Sequence, residues 1–195
     1  MMNNIDIIKN NFEESRETNS ISSETILNSI EVAVSRILAM FEKSGKLITC
    51  GNGGSSGDAQ HIASEFINRF EIERKSLPAI SLNSDTATLT SIANDYGYKY
   101  VFSKQINAIG KSDDVLMAFT TSGNSENILH AITAAKSKGI STILVCGGNG
   151  GEAIKLLDND DIKIIVPSER TSRIQEIHLI IIHSICECID KHISK

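Results

Sequence analysis

No basic run breaks this sequence, and no apolar stretch in it is long enough to cross a bilayer. The formal net charge is −5, which leaves no electrostatic footprint for gripping a phosphodiester backbone, so direct binding to nucleic acid is not expected. The longest apolar run, near Leu179 to Ile182, falls far short of a membrane span, and the N-terminus lacks both a positive flank and an apolar core. A cytoplasmic protein with no membrane partner is the expectation. Four cysteines, Cys50, Cys146, Cys186 and Cys188, form no C-x-x-C pair, and two of them end apolar strand-like runs. That usage points to reduced core thiols rather than a metal cluster or disulfides. With two prolines the chain has no Pro-rich linker, and it has no internal repeat or low-complexity tract.

What is present is enough apolar residue, 41% of 195 positions, for one sizeable core and too little length for two full domains. Apolar runs at 46–50, 78–82, 115–119, 141–146 and 162–166 are each bounded by Gly, Asn, Asp or Pro, with helical patterns between them. Continuous rather than alternating apolarity predicts strands buried on both faces, and hence an α/β fold with a parallel sheet covered by helices. Residues 4–20 predict a sparsely apolar helix that lies on the surface or docks on a neighbouring chain. Ser22-Ser23-Glu24-Thr25 resembles the start of a second helix, whose stripe is Ile26, Ile30, Val34, Ile37, Leu38 and Phe41. From Thr171 to about Lys191 a further helix is apolar nearly all round, which points to subunit packing. The division expected is a single domain over 1–195, with N-terminal helices over about 1–44 and the α/β core and C-terminal helix over about 45–195.

Two loops carry the candidate chemistry. The first runs from Cys50 through Gly51, Asn52, Gly53, Gly54 and Ser55 into a helix bearing His61 and Glu65. Consecutive glycines let backbone N–H groups approach a ligand, and a helix N-terminus favours negative charge, so phosphate is a natural guest. The second loop, Thr120-Thr121-Ser122-Gly123-Asn124-Ser125, also follows a predicted strand and opens a helix. Its four hydroxyls can donate to phosphate oxygens, or Ser125 can simply cap the helix. Two such loops at strand carboxyl ends favour a ligand, because ligands bind there in open parallel sheets.

His61 and Glu65, four positions apart, share a helix face and can share a metal or a substrate. Gln175 and His183 are eight positions apart, about 12 Å along an ideal helix. Both reach one ion only by leaning together, through a helix irregularity, or by coming from different subunits. Asn94 and Asp95 stand at a helix stop or face a polyol. The run Gly147-Gly148-Asn149-Gly150-Gly151 predicts a flexible turn without chemistry.

The series CGNGGSxxDAQHxAxE, AxxNDYG, TSGNS and RIQExHxxxxH, in this order over nearly the whole chain, resembles the phosphoheptose isomerases of the sugar isomerase (SIS) fold. The resemblance implies a three-layer α/β sandwich with a five-stranded parallel sheet, and conversion of D-sedoheptulose 7-phosphate to D-glycero-D-manno-heptose 7-phosphate through an enediol. That reaction leads toward the heptoses of lipopolysaccharide or other bacterial surface glycans. A cytoplasmic homotetramer with active sites between subunits, and one zinc ion per subunit, are implied as well. Carried over by position, Ser55, Thr120, Ser122 and Ser125, with Thr121 in the same loop, would bind the phosphate. Asn52, Gly53, Gly54, Asn94 and Asp95 would line the sugar site. His61, Glu65, Gln175 and His183 match the zinc ligands, with Glu65 and Gln175 also facing substrate.

Aldose–ketose isomerisation moves a proton between C1 and C2 while a second group manages the oxygen protons. Glu65 is assigned as base and His183 as acid. A zinc-bound carboxylate is a poorer base, however, so either the metal polarises substrate oxygens or ligands exchange during turnover. Two departures from the family pattern stand out: Thr120 where many members have Ser, which keeps the hydroxyl, and Ser172 where some have Asp, which leaves Ser172 without a role. Two other readings compete. One is a non-catalytic regulator, because the segment from Ile67 to Arg74 resembles an SIS relative that binds the replication initiator DnaA, although that relative lacks the acid/base pair. The other is an isomerase or binding domain for a different phosphosugar.

Overall fold

The computed structural model describes residues 3–193; Met1, Met2, Ser194 and Lys195 of the expected single domain lie outside them. Five strands, β1 (Leu47–Gly51), β2 (Ala79–Ser81), β3 (Val115–Phe119), β4 (Ser141–Gly147) and β5 (Ile162–Val166), form one parallel sheet in the order β2-β1-β3-β4-β5. Every residue of β1 and of β3 is buried. Successive side chains point to opposite faces, and both faces are covered, so the runs read as continuously apolar.

One face, with Leu47, Met117, Phe119, Val145 and Ile164, packs on helices α2 (Leu27–Glu42), α3 (Gly54–Ile67) and α7 (Thr171–Ile193). The other, with Ile48, Leu116, Ala118 and Leu144, packs on α5 (Ser103–Ile109) and α6 (Glu126–Ser137). A fully buried Ile, Leu or Phe contributes on the order of 1.5–3 kcal/mol, so these two layers supply the main driving force. The three-layer α/β architecture is as expected, including the long C-terminal helix.

The start of the second helix is not where the sequence pattern put it. Helix α1 continues from Asn4 to Thr25, and α2 begins only after Ile26. Ser22 lies inside α1, buried, with its hydroxyl donating to the Thr18 carbonyl at 2.7 Å instead of capping a new helix. Within one chain α1 keeps Ile5, Ile8 and Phe12 exposed. It is tied down by polar contacts to α7 and the residue before it: Arg173 donates to the Asn11 carbonyl, and Arg170 pairs with Glu14. On α7, Ile182 is fully buried within its own chain, while Leu179 and Ile180 are exposed. No helix among the described residues is long and apolar enough to cross a membrane.

Cys50, Cys146 and Cys186 are free and buried, whereas Cys188 is exposed, so three of the four thiols are core residues. Burial pushes the Cys50 and Cys146 thiols up to about 12. Cys186 reaches about 12 for the same reason, helped by the negative charges of Glu65 and Asp190. The thiolate is the reactive form. A thiol-specific chromophoric reagent is therefore expected to titrate one fast thiol per chain in the native protein and the rest only in denaturant. Two or more fast thiols in native protein would contradict the burial of the other three.

Candidate active site

Strand order reverses between β1 and β3, since β1 leads outward to β2 while β3 leads the other way to β4. The carboxyl ends of these two strands mark the switch point at which an open parallel sheet binds ligands. Both loops singled out in the sequence end there. The first enters α3 through Gly53, whose positive φ of 54° no side chain favours. Ser55 is buried just inside the helix. The second loop crosses from β3 to α6. Thr120 is buried, and its hydroxyl accepts the Gly123 N–H at 3.2 Å. Ser122 accepts from the Asn124 N–H at 3.2 Å. Ser125 opens α6 without a side-chain cap bond, so its hydroxyl is not spent on ordinary capping.

The glycine run that closes β4 makes the expected turn. It buttresses the hydroxyl loop: Gly147 N–H donates to the Thr121 carbonyl at 3.2 Å, Ala153 N–H to the Gly123 carbonyl at 2.9 Å, and Glu152 N–H to Asn124 Oδ1 at 3.0 Å. A Cβ on Gly123 would lie 1.9 Å from the Gly150 carbonyl oxygen. A Cβ on Gly151 would in turn lie 2.4 Å from the Ser122 carbonyl oxygen, so the close approach of the two loops requires glycine at 123 and 151. Together they border a cavity of about 290 Å³ lined by Thr121, Ser122, Asn124, Gly148, Asn149 and Glu169, among others.

The acid/base candidates meet on the other side of the first loop. His61 Nε2 stands 3.2 Å from Glu65 Oε1, one turn along α3, and both side chains are partly exposed. His183 comes from α7, which packs directly on α3. Its ring centroid lies 5.1 Å from that of His61, edge-on, and 5.4 Å from Phe70, which stacks on it. One chain therefore brings His61, Glu65 and His183 together without a second subunit. Gln175 occupies the amino-terminal end of α7 against the first loop; a Cβ on Gly54 would lie 2.3 Å from its Nε2. The two imidazoles and the carboxylate are donor types that suit zinc, and the Gln175 amide can add only a neutral oxygen. Among the described residues no group of three or more His, Cys, Asp or Glu side chains stands ready to hold an ion.

Asn94 and Asp95 lie exposed in the last turn of α4 (Thr86–Tyr96), where Asn94 Nδ2 donates to Asp95 Oδ1 at 2.8 Å. Asp85 caps that helix, and the hydrogen bonds it accepts from the Thr88 hydroxyl and N–H hold its carboxyl below the usual value.

Three sets of side-chain contacts matter here whose partners no sequence pattern names. Asn127 of α6 and Asn52 of the first loop exchange two amide hydrogen bonds, 2.8 Å each, and the Tyr98 hydroxyl donates to Asn52 at 3.1 Å. Asn127 stands two places after Ser125, and Tyr98 follows the NDYG motif, but nothing in either position names its partner. Arg74 pairs with Asp190 of α7 at 2.6 Å and donates to the carbonyls of Glu65 and Phe66 at 2.8 and 2.9 Å. It thereby closes the end of the helix that carries Glu65. His178 of α7 and Asp58 of α3 face each other 3.5 Å apart, with the imidazole wholly buried.

The SIS-domain family model matches residues 11–147. The phosphoheptose isomerase of Colwellia psychrerythraea is 54% identical over 183 residues, covering 94% of this chain and 93% of that protein. The Coxiella burnetii phosphoheptose isomerase is 48% identical and covers 97% and 96%. Among solved structures, a phosphoheptose isomerase from Francisella tularensis superposes with a TM-score of 0.95 at 40% identity, covering 97% of this chain and all of that one. A counterpart from Neisseria gonorrhoeae gives 0.90 at 38% identity, covering 94% and 97%. With relatives this similar over nearly their whole length, the chain belongs to the SIS-domain family and, within it, to the phosphoheptose isomerases.

Proposed function

We propose that this isomerase converts D-sedoheptulose 7-phosphate to D-glycero-D-manno-heptose 7-phosphate in the cytoplasm, as a homotetramer supplying heptose for bacterial surface glycans such as lipopolysaccharide. The observation that carries the reading is the gathering of Glu65, His61 and His183 on the two packed helices α3 and α7, the first of which opens from the glycine loop. Ser55, Thr120, Thr121, Ser122 and Ser125 hold the phosphate by O–H donation, aided by the amino ends of α3 and α6. Asn52, Gly53, Gly54, Asn94 and Asp95 line the sugar. The Glu65 carboxylate takes the proton from C1 of the ketose and returns it to C2 of the enediol. His183 moves the hydroxyl proton from the C1 oxygen to the C2 oxygen, so no proton is gained or lost overall. The exposed apolar side of α1, with Phe12 and Ile8, supports burial against another subunit.

His61, Glu65, Gln175 and His183 would hold zinc, which supplies positive charge to substrate oxygens when bound. The test is incubation of purified protein with sedoheptulose 7-phosphate, with and without a chelator, following aldose formation. Aldose in the untreated sample and at least a tenfold lower rate after chelation is the expected result. No aldose in either would overturn the substrate, and equal rates would overturn an essential metal.

A further inference from the structure

The amide of Asn52 has a hydrogen-bond inventory that determines what it can offer a ligand. Its Oδ1 accepts from Asn127 Nδ2 at 2.8 Å and from the Tyr98 hydroxyl at 3.1 Å, which fills both lone pairs. Its Nδ2 donates once, to Asn127 Oδ1 at 2.8 Å, and keeps one N–H. Asn127 is buried at the start of α6, so its own amide is fixed by packing. Tyr98 begins the 3₁₀ turn Tyr98–Tyr100, directly after the Gly97 that ends α4. The three side chains therefore join the glycine loop, the helix behind the hydroxyl loop and the segment carrying Asn94 and Asp95.

Resting on the sugar-site role proposed above for Asn52, we propose that Asn127 and Tyr98 are positioning residues that make Asn52 a hydrogen-bond donor only. Asn52 then presents a single N–H to a sugar oxygen that acts as acceptor, and it cannot accept from a sugar hydroxyl. The consequence is selective. The pair orders the sugar end of the site and leaves the hydroxyls that hold the phosphate untouched.

The test compares Asn127→Ala, Tyr98→Phe and Asn52→Ala, alone and combined, in the full-length protein. Loss of one neutral hydrogen bond corresponds to a KM increase of about three- to tenfold. Asn127→Ala and Tyr98→Phe are each expected to raise KM for sedoheptulose 7-phosphate by that factor while the inhibition constant of inorganic phosphate stays put. In the Asn52→Ala background neither is expected to add anything, because both act through Asn52. A purely structural role would cost the same factor in both backgrounds, and that result, or an unchanged KM in the single variants, overturns the proposal. Tyr98 is exposed, so Tyr98→Phe carries the test if Asn127→Ala does not fold. Should wild type make no aldose, the proposed reaction fails, and the same comparison is read as calorimetric affinity for the sugar phosphate against inorganic phosphate. Absence of any sugar-phosphate binding by wild type would refute the donor assignment as well.

Discussion

Replacing Glu65 by Gln is expected to lower kcat by about 10²- to 10⁴-fold, the usual contribution of a positioned general base, with thermal unfolding unchanged. The substitution keeps the shape of the side chain and removes its capacity to take a proton. It does not disturb the helix, because the contact that anchors position 65 runs from Arg74 to the backbone carbonyl, not to the carboxylate. The neighbouring His61, 3.2 Å away, would exchange a carboxylate partner for an amide oxygen that still accepts. His183→Ala is expected to cost a similar factor in kcat, with circular dichroism as the check, since that ring also fills space between His61 and Phe70. A Glu65→Gln protein turning over within tenfold of wild type would remove Glu65 from the role of base.

The largest expected effect on stability comes from Arg74→Ala. Arg74 and Asp190 are each about 3% exposed at their side chains and 2.6 Å apart, and the guanidinium also satisfies carbonyls at the end of α3. Removing the cation leaves the charge of Asp190 buried without it, a change that costs about 3–5 kcal/mol when a buried pair is broken from one side. Chemical denaturation is expected to show the midpoint falling by a corresponding amount at unchanged slope. The double change Arg74→Met with Asp190→Leu is expected to recover most of the loss, since apolar side chains of similar size replace buried pairs at little cost. An Arg74→Ala midpoint within experimental scatter of wild type would show that the pair contributes nothing net.

The Arg74 pair also marks where sequence reading stopped. Arg74 lies in the segment that suggested resemblance to a DnaA-binding relative, and as a sequence feature it is one cation among several. Its partner stands 116 residues away, and only folding brings α3 and α7 side by side. The same holds for Asn52 and Asn127, 75 residues apart, and for Tyr98, 46 residues from the Asn52 to which it donates. That the glycine turn after β4 packs on the hydroxyl loop is undetermined locally for a related reason: glycine permits both a loose turn and a close backbone contact, and the choice depends on the loop opposite.

Local chemistry settled much on its own. Unbroken apolar runs bounded by turn residues require strands covered on both faces, so the parallel α/β sheet followed from patterning alone. Glycines and hydroxyls placed directly before helices defined both loops, and the i,i+4 spacing of His61 and Glu65 set them on one face. The tertiary structure alone decided that His183 meets them within a single chain and that Gln175 sits against Gly54. It also decided which of Ile182, Leu179 and Ile180 is buried. Those outcomes depend on how α7 packs against α3, an energy summed over many weak contacts between residues far apart in sequence, which no local pattern encodes.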